Sequence, residues 1–144
     1  MIAFDTNILV YAHRSDAPFH ERAEELVRAA AEDVEPWALL WPCLHEFVAV
    51  VTHPRIFKNP TPLGNALEQV EEWLKSPTVV VLGEADGYWA ALSHLARSGR
   101  IQGPKIHDAR IAALATFHDV DELWSADRDF NRFSVLKVRN PLVA

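Results

Sequence analysis

Short apolar runs alternate with longer amphipathic stretches from one end of this chain to the other. Ile2-Ala3-Phe4, the segment 37–41 (Trp-Ala-Leu-Leu-Trp), the segment 78–82 (Thr-Val-Val-Val-Leu), Leu123-Trp124-Ser125 and a last run at 135–138 have the length of strands, and 78–82 has their β-branched content. Between them, apolar residues recur at helical spacing. Ala23, Leu26, Val27 and Ala30 predict a helix over 18–31. Leu44, Phe47, Val48 and Val51 predict one from Pro42 to about 53, with proline where a helix start tolerates it. Leu63, Leu67, Val70 and Leu74 predict a third. Two more are read at 86–98 and 107–118, separated by a loop at 98–105 that holds Gly99 and Gly103, and the three prolines of 54–62 mark an exposed loop. Strands separated by helices predict an α/β sandwich on a mostly parallel sheet. In such sheets ligands collect beyond the carboxyl ends of strands. Asp5 directly follows the first strand, and Asp127 follows the strand that holds Trp124.

The 144 residues suit one domain spanning 1–144. Asp5 interrupts the N-terminal apolar run before it reaches the length of a secretory leader's core. No stretch approaches the roughly 18 uninterrupted apolar residues of a membrane span. Cys43 is the only cysteine, which excludes an internal disulfide and a multi-cysteine zinc site. A soluble, cytoplasmic protein without membrane association is expected. The formal net charge of −6 argues against a tight nonspecific nucleic-acid binder. Acids gathered around a cation contribute to that count, so a nuclease remains compatible if basic residues stand near its site or come from a second subunit.

Asp5, Glu46, Asp108 and Asp127 carry the candidate chemistry, with Asp129 close behind. Each has a plain structural reading. Asp5 and Asp108 can cap the helices that begin beside them, and Asp127 and Asp129 can be turn residues. Glu46 is the only charged residue between Pro36 and Thr52, with His neutral, and falls at the border of an apolar helical face, where a buried carboxylate needs a cation or donors. Together the acids form an oxygen-only set suited to Mg²⁺ or Mn²⁺ and to in-line displacement at a phosphodiester. No glycine-rich phosphate loop and no HExxH spacing is present. His45 and His107 adjoin candidate acids but point about 100° away on a helix, and Cys43 reads as packing. Two other readings compete. One is a non-catalytic binding module in which the acids only cap and turn. The other is a phosphohydrolase with Asp5 as nucleophile, which lacks an acid two residues on, where Asn7 stands.

Four segments, Phe4-Asp5-Thr6-Asn7, Leu44-His45-Glu46-Phe47, His107-Asp108-Ala109-Arg110-Ile111-Ala112-Ala113 and Trp124-Ser125-Ala126-Asp127-Arg128-Asp129-Phe130, resemble in order the signature segments of PIN domains, and the closing Val138-Arg139-Asn140-Pro141-Leu142 extends the match. The likeness is strongest to the VapC branch, the toxin halves of type II toxin–antitoxin pairs. It implies a Rossmann-like α/β/α sandwich, a Mg²⁺ or Mn²⁺ site, endoribonuclease activity on an RNA substrate, homodimers and a cognate VapB-type antitoxin that blocks the site. By the same resemblance Asp5, Glu46 and Asp108 match acidic metal-binding positions. For the fourth acid the motif offers both Asp127 and Asp129, with Asp127 favoured as the nearer to the strand end. Ser125, Thr6 and Asn7 match supporting positions that orient the acids.

Overall fold

The computed structural model describes residues 1–143. Five parallel strands, β1 (Ile2–Phe4), β2 (Trp37–Leu40), β3 (Val79–Leu82), β4 (Glu122–Trp124) and β5 (Val138–Arg139), form one sheet in the order β3-β2-β1-β4-β5. All four pairings are parallel, which sharpens the expected mostly parallel sheet. The helices α1 (Thr6–His13), α2 (His20–Glu32), α3 (Trp41–Val51), α4 (Leu63–Leu74), α5 (Tyr88–Ser98) and α6 (Ile106–Phe117) cover it. The four residues of β2 are buried without alternation, as a strand covered on both faces requires. The architecture is an α/β/α sandwich.

From β1 the chain builds outward through β2 to β3, then returns to lay β4 on the other side of β1. The order reverses between β1 and β4, and that reversal opens a crevice at their carboxyl ends. Asp5 follows β1, its amide donating to the Trp124 carbonyl at 2.9 Å. The backbone therefore holds Asp5 and the segment after Trp124 side by side.

Two expected elements differ. The last strand begins at Val138, not at 135. Phe133 and Leu136 are buried and joined by a turn, with the Leu136 amide bonded to the Phe133 carbonyl, while Val135 points to solvent. Core packing under that turn keeps it out of the ladder. Helix α4 forms where predicted, yet Leu63 and Leu67 are exposed and Ala66 and Trp73 carry the burial. The packed face is rotated toward the larger side chain, because Trp73 buries more apolar area against Phe47 than a leucine would.

Candidate active site

Asp5, Glu46, Asp108 and Asp127 line one cleft of about 320 Å³ at the crevice between β1 and β4. They arrive from four places: the turn after β1, the middle of α3, the first turn of α6 and the turn after β4. Asp5 is nearly sealed from solvent, Asp108 and Asp127 are half-buried, and Glu46 is exposed. The exposure of Glu46 corrects the reasoning that singled it out. No burial cost acts there; what places it is a hydrogen bond from Thr6 Oγ1 to its Oε2 at 3.2 Å, tying α3 to the start of α1.

Asp5 is the most constrained group. The Thr6 amide donates to its Oδ1 at 2.8 Å, and Ser125 Oγ donates to its Oδ2 at 2.7 Å. Asn7 Nδ2 stands 3.4 Å from the same Oδ2, and the Cys43 thiol 3.8 Å from Oδ1. Burial pushes the Asp5 carboxyl from 3.8 up to about 6; the donors from Ser125 and Thr6 oppose the rise, and the charges of Glu46 and Asp127 add to it. The Cys43 thiol is raised well above its ordinary value, first by burial and then by Asp5. It is a neutral thiol donating weakly to Asp5, a contact that reading it as packing alone missed.

Ser125 and Asn7 join the two strand ends. Ser125 Oγ accepts from the Asp127 amide at 2.9 Å, and Asn7 Oδ1 accepts from the Ala126 amide at 3.2 Å. Asn7 is thus committed to structure on both sides of its amide, so Asp5 has no proton-exchanging partner there.

Asp5 caps α1 as its sequence position suggested, its side chain accepting from the Thr6 amide, but Asp108 departs from expectation. Asp108 does not cap its helix; Lys105 holds that position without a side-chain bond, and Asp108 is the third residue of α6. Asp127 caps the short 3-10 segment Arg128–Arg132, its Oδ1 accepting from the Asp129 amide at 2.9 Å. Asp129 lies inside that segment and is exposed. Its carboxylate pairs with Lys105 Nζ at 2.6 Å, which holds it below the usual range. Lys105 also stands 3.8 Å from Asp108. Asp108 is nevertheless raised, first by burial and then by the charge of Asp127. Carboxylate oxygens of Asp108, Asp127 and Asp129 lie within 4.8 Å of one another. Asp108 and Asp127 therefore belong both to this trio and to the cleft, while Asp129 belongs only to the trio.

A hard divalent cation fits this donor set. Among the described residues Asp5, Glu46 and Asp127 form no ion pair, so three carboxylates share a cleft without a counter-charge.

A family profile described as PIN domain matches residues 2–136. The chain belongs to the PIN domain family. Within it the relatives are VapC proteins. Ribonuclease VapC43 of Mycobacterium tuberculosis is 38% identical over 142 residues, covering 99% of this chain and 96% of the relative. Ribonuclease VapC48 of the same species is 34% identical over 138 residues, covering 96% and 95%. Among solved structures, VapBC2 from Rickettsia felis bound to a DNA fragment from its promoter superposes with a TM-score of 0.68 at 19% identity, covering 96% of this chain and 98% of that one. Mycobacterium tuberculosis VapC20, a toxin that cleaves the Sarcin-Ricin loop, superposes at 0.65 and 20% identity, covering 91% and 93%. At those identities the superpositions establish the PIN fold itself.

The four acid-bearing segments of this PIN domain were legible as motifs. Lys105 was not, because its sequence neighbours say nothing of an aspartate twenty-four positions away. No described helix is long and apolar enough to cross a membrane.

Proposed function

We propose that this PIN domain, acting as one unit over 1–144, is a Mg²⁺- or Mn²⁺-dependent endoribonuclease and the toxin of a VapB-type toxin–antitoxin pair. The carrying observation is the convergence of Asp5, Glu46, Asp108 and Asp127 from four elements on one cleft with too little positive charge to balance them. The relatives named ribonucleases support the reaction, and the VapBC structures among the fold neighbours support the partner.

In this reading Asp5, Asp108 and Asp127, with Glu46 at the cleft's open side, hold the cation. A bound Mg²⁺ or Mn²⁺ supplies water activation and charge stabilisation at the phosphodiester. The chain's own residues prepare that binding. Ser125, Thr6 and Asn7 fix both oxygens of Asp5, so that it meets the cation in one orientation. With its carboxyl near 6, Asp5 is ionised at neutral pH. Lys105 neutralises Asp129, which leaves Asp127 the freer fourth acid. Attack by Asp5 itself on phosphorus is disfavoured by its burial and by the commitment of Asn7.

An exposed acidic cleft is also suited to inhibition by a basic antitoxin segment, whose arginine would form charge-assisted bonds to these carboxylates. The proposal includes a homodimer and a cytoplasmic site of action, where the RNA substrate is found. Expression of the protein alone should arrest growth of a bacterial host, Asp108→Asn should relieve the arrest, and co-expression of the cognate antitoxin should restore growth. Purified protein should cleave single-stranded RNA in Mn²⁺. Arrest that survives Asp108→Asn unchanged would count against the nuclease as its cause.

A further inference from the structure

The acids account for only part of the cleft. Beside Thr6 and Asn7, the rest of its lining is largely apolar and includes Val10, Tyr11, Val50, Ile56 and Phe57. Ile56 and Phe57 come from the connection between α3 and α4, where the order Arg55-Ile56-Phe57-Lys58 sets two cations around two apolar side chains. Ile56 is 54% exposed. Arg55 and Lys58 are exposed and form no ion pair among the described residues. The basic residues nearest Asp108 in sequence are already committed, Lys105 to Asp129 and Arg110 to Glu84.

This segment is irregular but firmly anchored. The Arg14 guanidinium lies 4.0 Å from the centroid of the Phe57 ring. It is itself nearly buried, donates to both oxygens of Asp16 at 2.9 and 2.6 Å, and donates to the Asn59 carbonyl at 2.7 Å and to Thr61 Oγ1 at 3.3 Å. The amides of Ile56 and Phe57 both bond the His53 carbonyl, and the Thr61 amide bonds the Val51 carbonyl at 2.8 Å. Arg14 has its donors engaged within the protein, so its part is to hold Phe57 in place.

A fixed aromatic and aliphatic wall, flanked by uncommitted cations and placed beside a carboxylate cluster, matches one ligand chemistry well. An unpaired nucleic-acid strand offers flat apolar bases and a phosphate on either side of each. Resting on the ribonuclease reading above, we propose that the segment 55–58 is the strand-docking edge of the cleft. Phe57, with Ile56 and Tyr11, takes one unstacked nucleobase next to the cleaved phosphate, Arg55 and Lys58 take flanking phosphates, and Arg14 is a positioning residue for Phe57. The segment thereby supplies, locally, the positive charge that a chain of net charge −6 lacks as a whole.

The test uses the full protein in Mn²⁺ and a fluorescent single-stranded RNA ten-mer, beside strands of the same length with one abasic position moved stepwise along them. For wild type, one abasic position next to the cleavage point raises KM by roughly ten- to a hundredfold, the range of base–aromatic stacking. Phe57→Ala raises KM on the intact strand to a similar extent, leaves kcat within about threefold, and abolishes the penalty of that abasic position. Phe57→Trp, which keeps a π-face, restores both KM and the abasic penalty. Arg55→Ala and Lys58→Ala each lower the steepness of the salt dependence of binding by about 0.7, the loss of one phosphate contact on a single strand. Arg14→Lys raises KM in the same sense as Phe57→Ala, with kcat kept.

Binding of the labelled strand, read by anisotropy, is independent of turnover and separates the two claims. Cleavage with strand binding and abasic penalties indifferent to Phe57, Arg55 and Lys58 overturns the docking edge and leaves the ribonuclease reading standing. Binding that depends on these residues, with no cleavage under any divalent ion, overturns the ribonuclease reading and leaves the docking edge. A Phe57→Ala protein that binds the strand as wild type does but no longer binds its antitoxin makes 55–58 a protein-docking element and overturns the inference.

Discussion

Asp127 and Asp129 are two residues apart and chemically identical, yet their neighbours divide them. Asp127 lines the cleft and caps the 3-10 segment through one oxygen, while Asp129 is exposed and paired with Lys105. Asp127→Asn keeps the cap, because an amide oxygen accepts from the Asp129 amide equally well, but it removes a charge from the proposed ligand set. Cleavage by that variant should fall by at least about a hundredfold with its folding intact, as loss of a charge-stabilising group predicts. Asp129→Asn removes only an exposed, salt-screened ion pair and should cost activity far less. Steady-state rates of the two variants decide the order, and a dead Asp129→Asn beside an active Asp127→Asn reverses it. Asp5 makes a separate prediction for metal-free protein. Its folded carboxyl, near 6, lies above its ordinary 3.8, so the folded state holds the proton more tightly than the unfolded chain does. This group's contribution to stability therefore declines as pH rises from about 4 to about 6 and stays lost above that. At about 1.36 kcal/mol per unit the loss is on the order of 3 kcal/mol. Thermal melts in chelator should show wild type losing Tm across that window relative to Asp5→Asn; equal slopes for the two proteins would contradict the origin of the shift. The four acids singled out in the sequence line one cleft, though not for every reason that drew attention to them. Glu46 stood out for an expected burial that the fold does not impose, while the plain reading as a helix cap holds for Asp5 and fails for Asp108, where Lys105 occupies the position.

The elements meet at two strand ends, and Ser125 is the joint. Its hydroxyl donates to Asp5 beyond β1 and accepts from the Asp127 amide beyond β4. Ser125→Ala leaves that part-buried amide without its acceptor and Asp5 Oδ2 with only the longer contact to Asn7, at a cost of about 1–3 kcal/mol. It also removes the donor that most lowers the Asp5 carboxyl. Mn²⁺ affinity, measured by calorimetry at pH 7, should weaken by roughly ten- to a hundredfold, as loss of a group orienting a ligand does. Unchanged affinity would mean that Asp5 needs no help from β4. Most elements were legible because a run such as 37–41 is apolar throughout and the stripes around it repeat every three or four residues. The exceptions have local causes. Residues 135–137 look strand-like, but Phe133 and Leu136 are drawn into the core and fold the chain back before β5. Of the stripe read for α4, Val70 and Leu74 pack against the core, while Leu63 and Leu67 are exposed and Ala66 and Trp73 take the deepest burial. The anchoring of 52–62 by Arg14 depends on contacts more than forty positions apart, which no local pattern carries.

For the whole molecule, the parallel sheet with its reversal between β1 and β4 explains why acids distant in sequence share one cleft, and a bound cation would relieve the excess of carboxylate charge there. Binding stabilises the fold only through what the ion touches. Saturating Mn²⁺ at pH 7.5 should therefore raise the Tm of wild type and should raise it less in Asp127→Asn, with Asp129→Asn close to wild type. The most direct test of the account follows the same ion through two readouts at once. Mn²⁺ is titrated into metal-depleted protein while calorimetry records binding and a labelled single-stranded RNA records cleavage, for wild type and for Asp108→Asn. Cleavage that rises with occupancy of the binding site, disappears in chelator, and is lost together with affinity in the variant is the predicted result; cleavage that continues undiminished in chelator, or that survives in a variant no longer binding the ion, contradicts it.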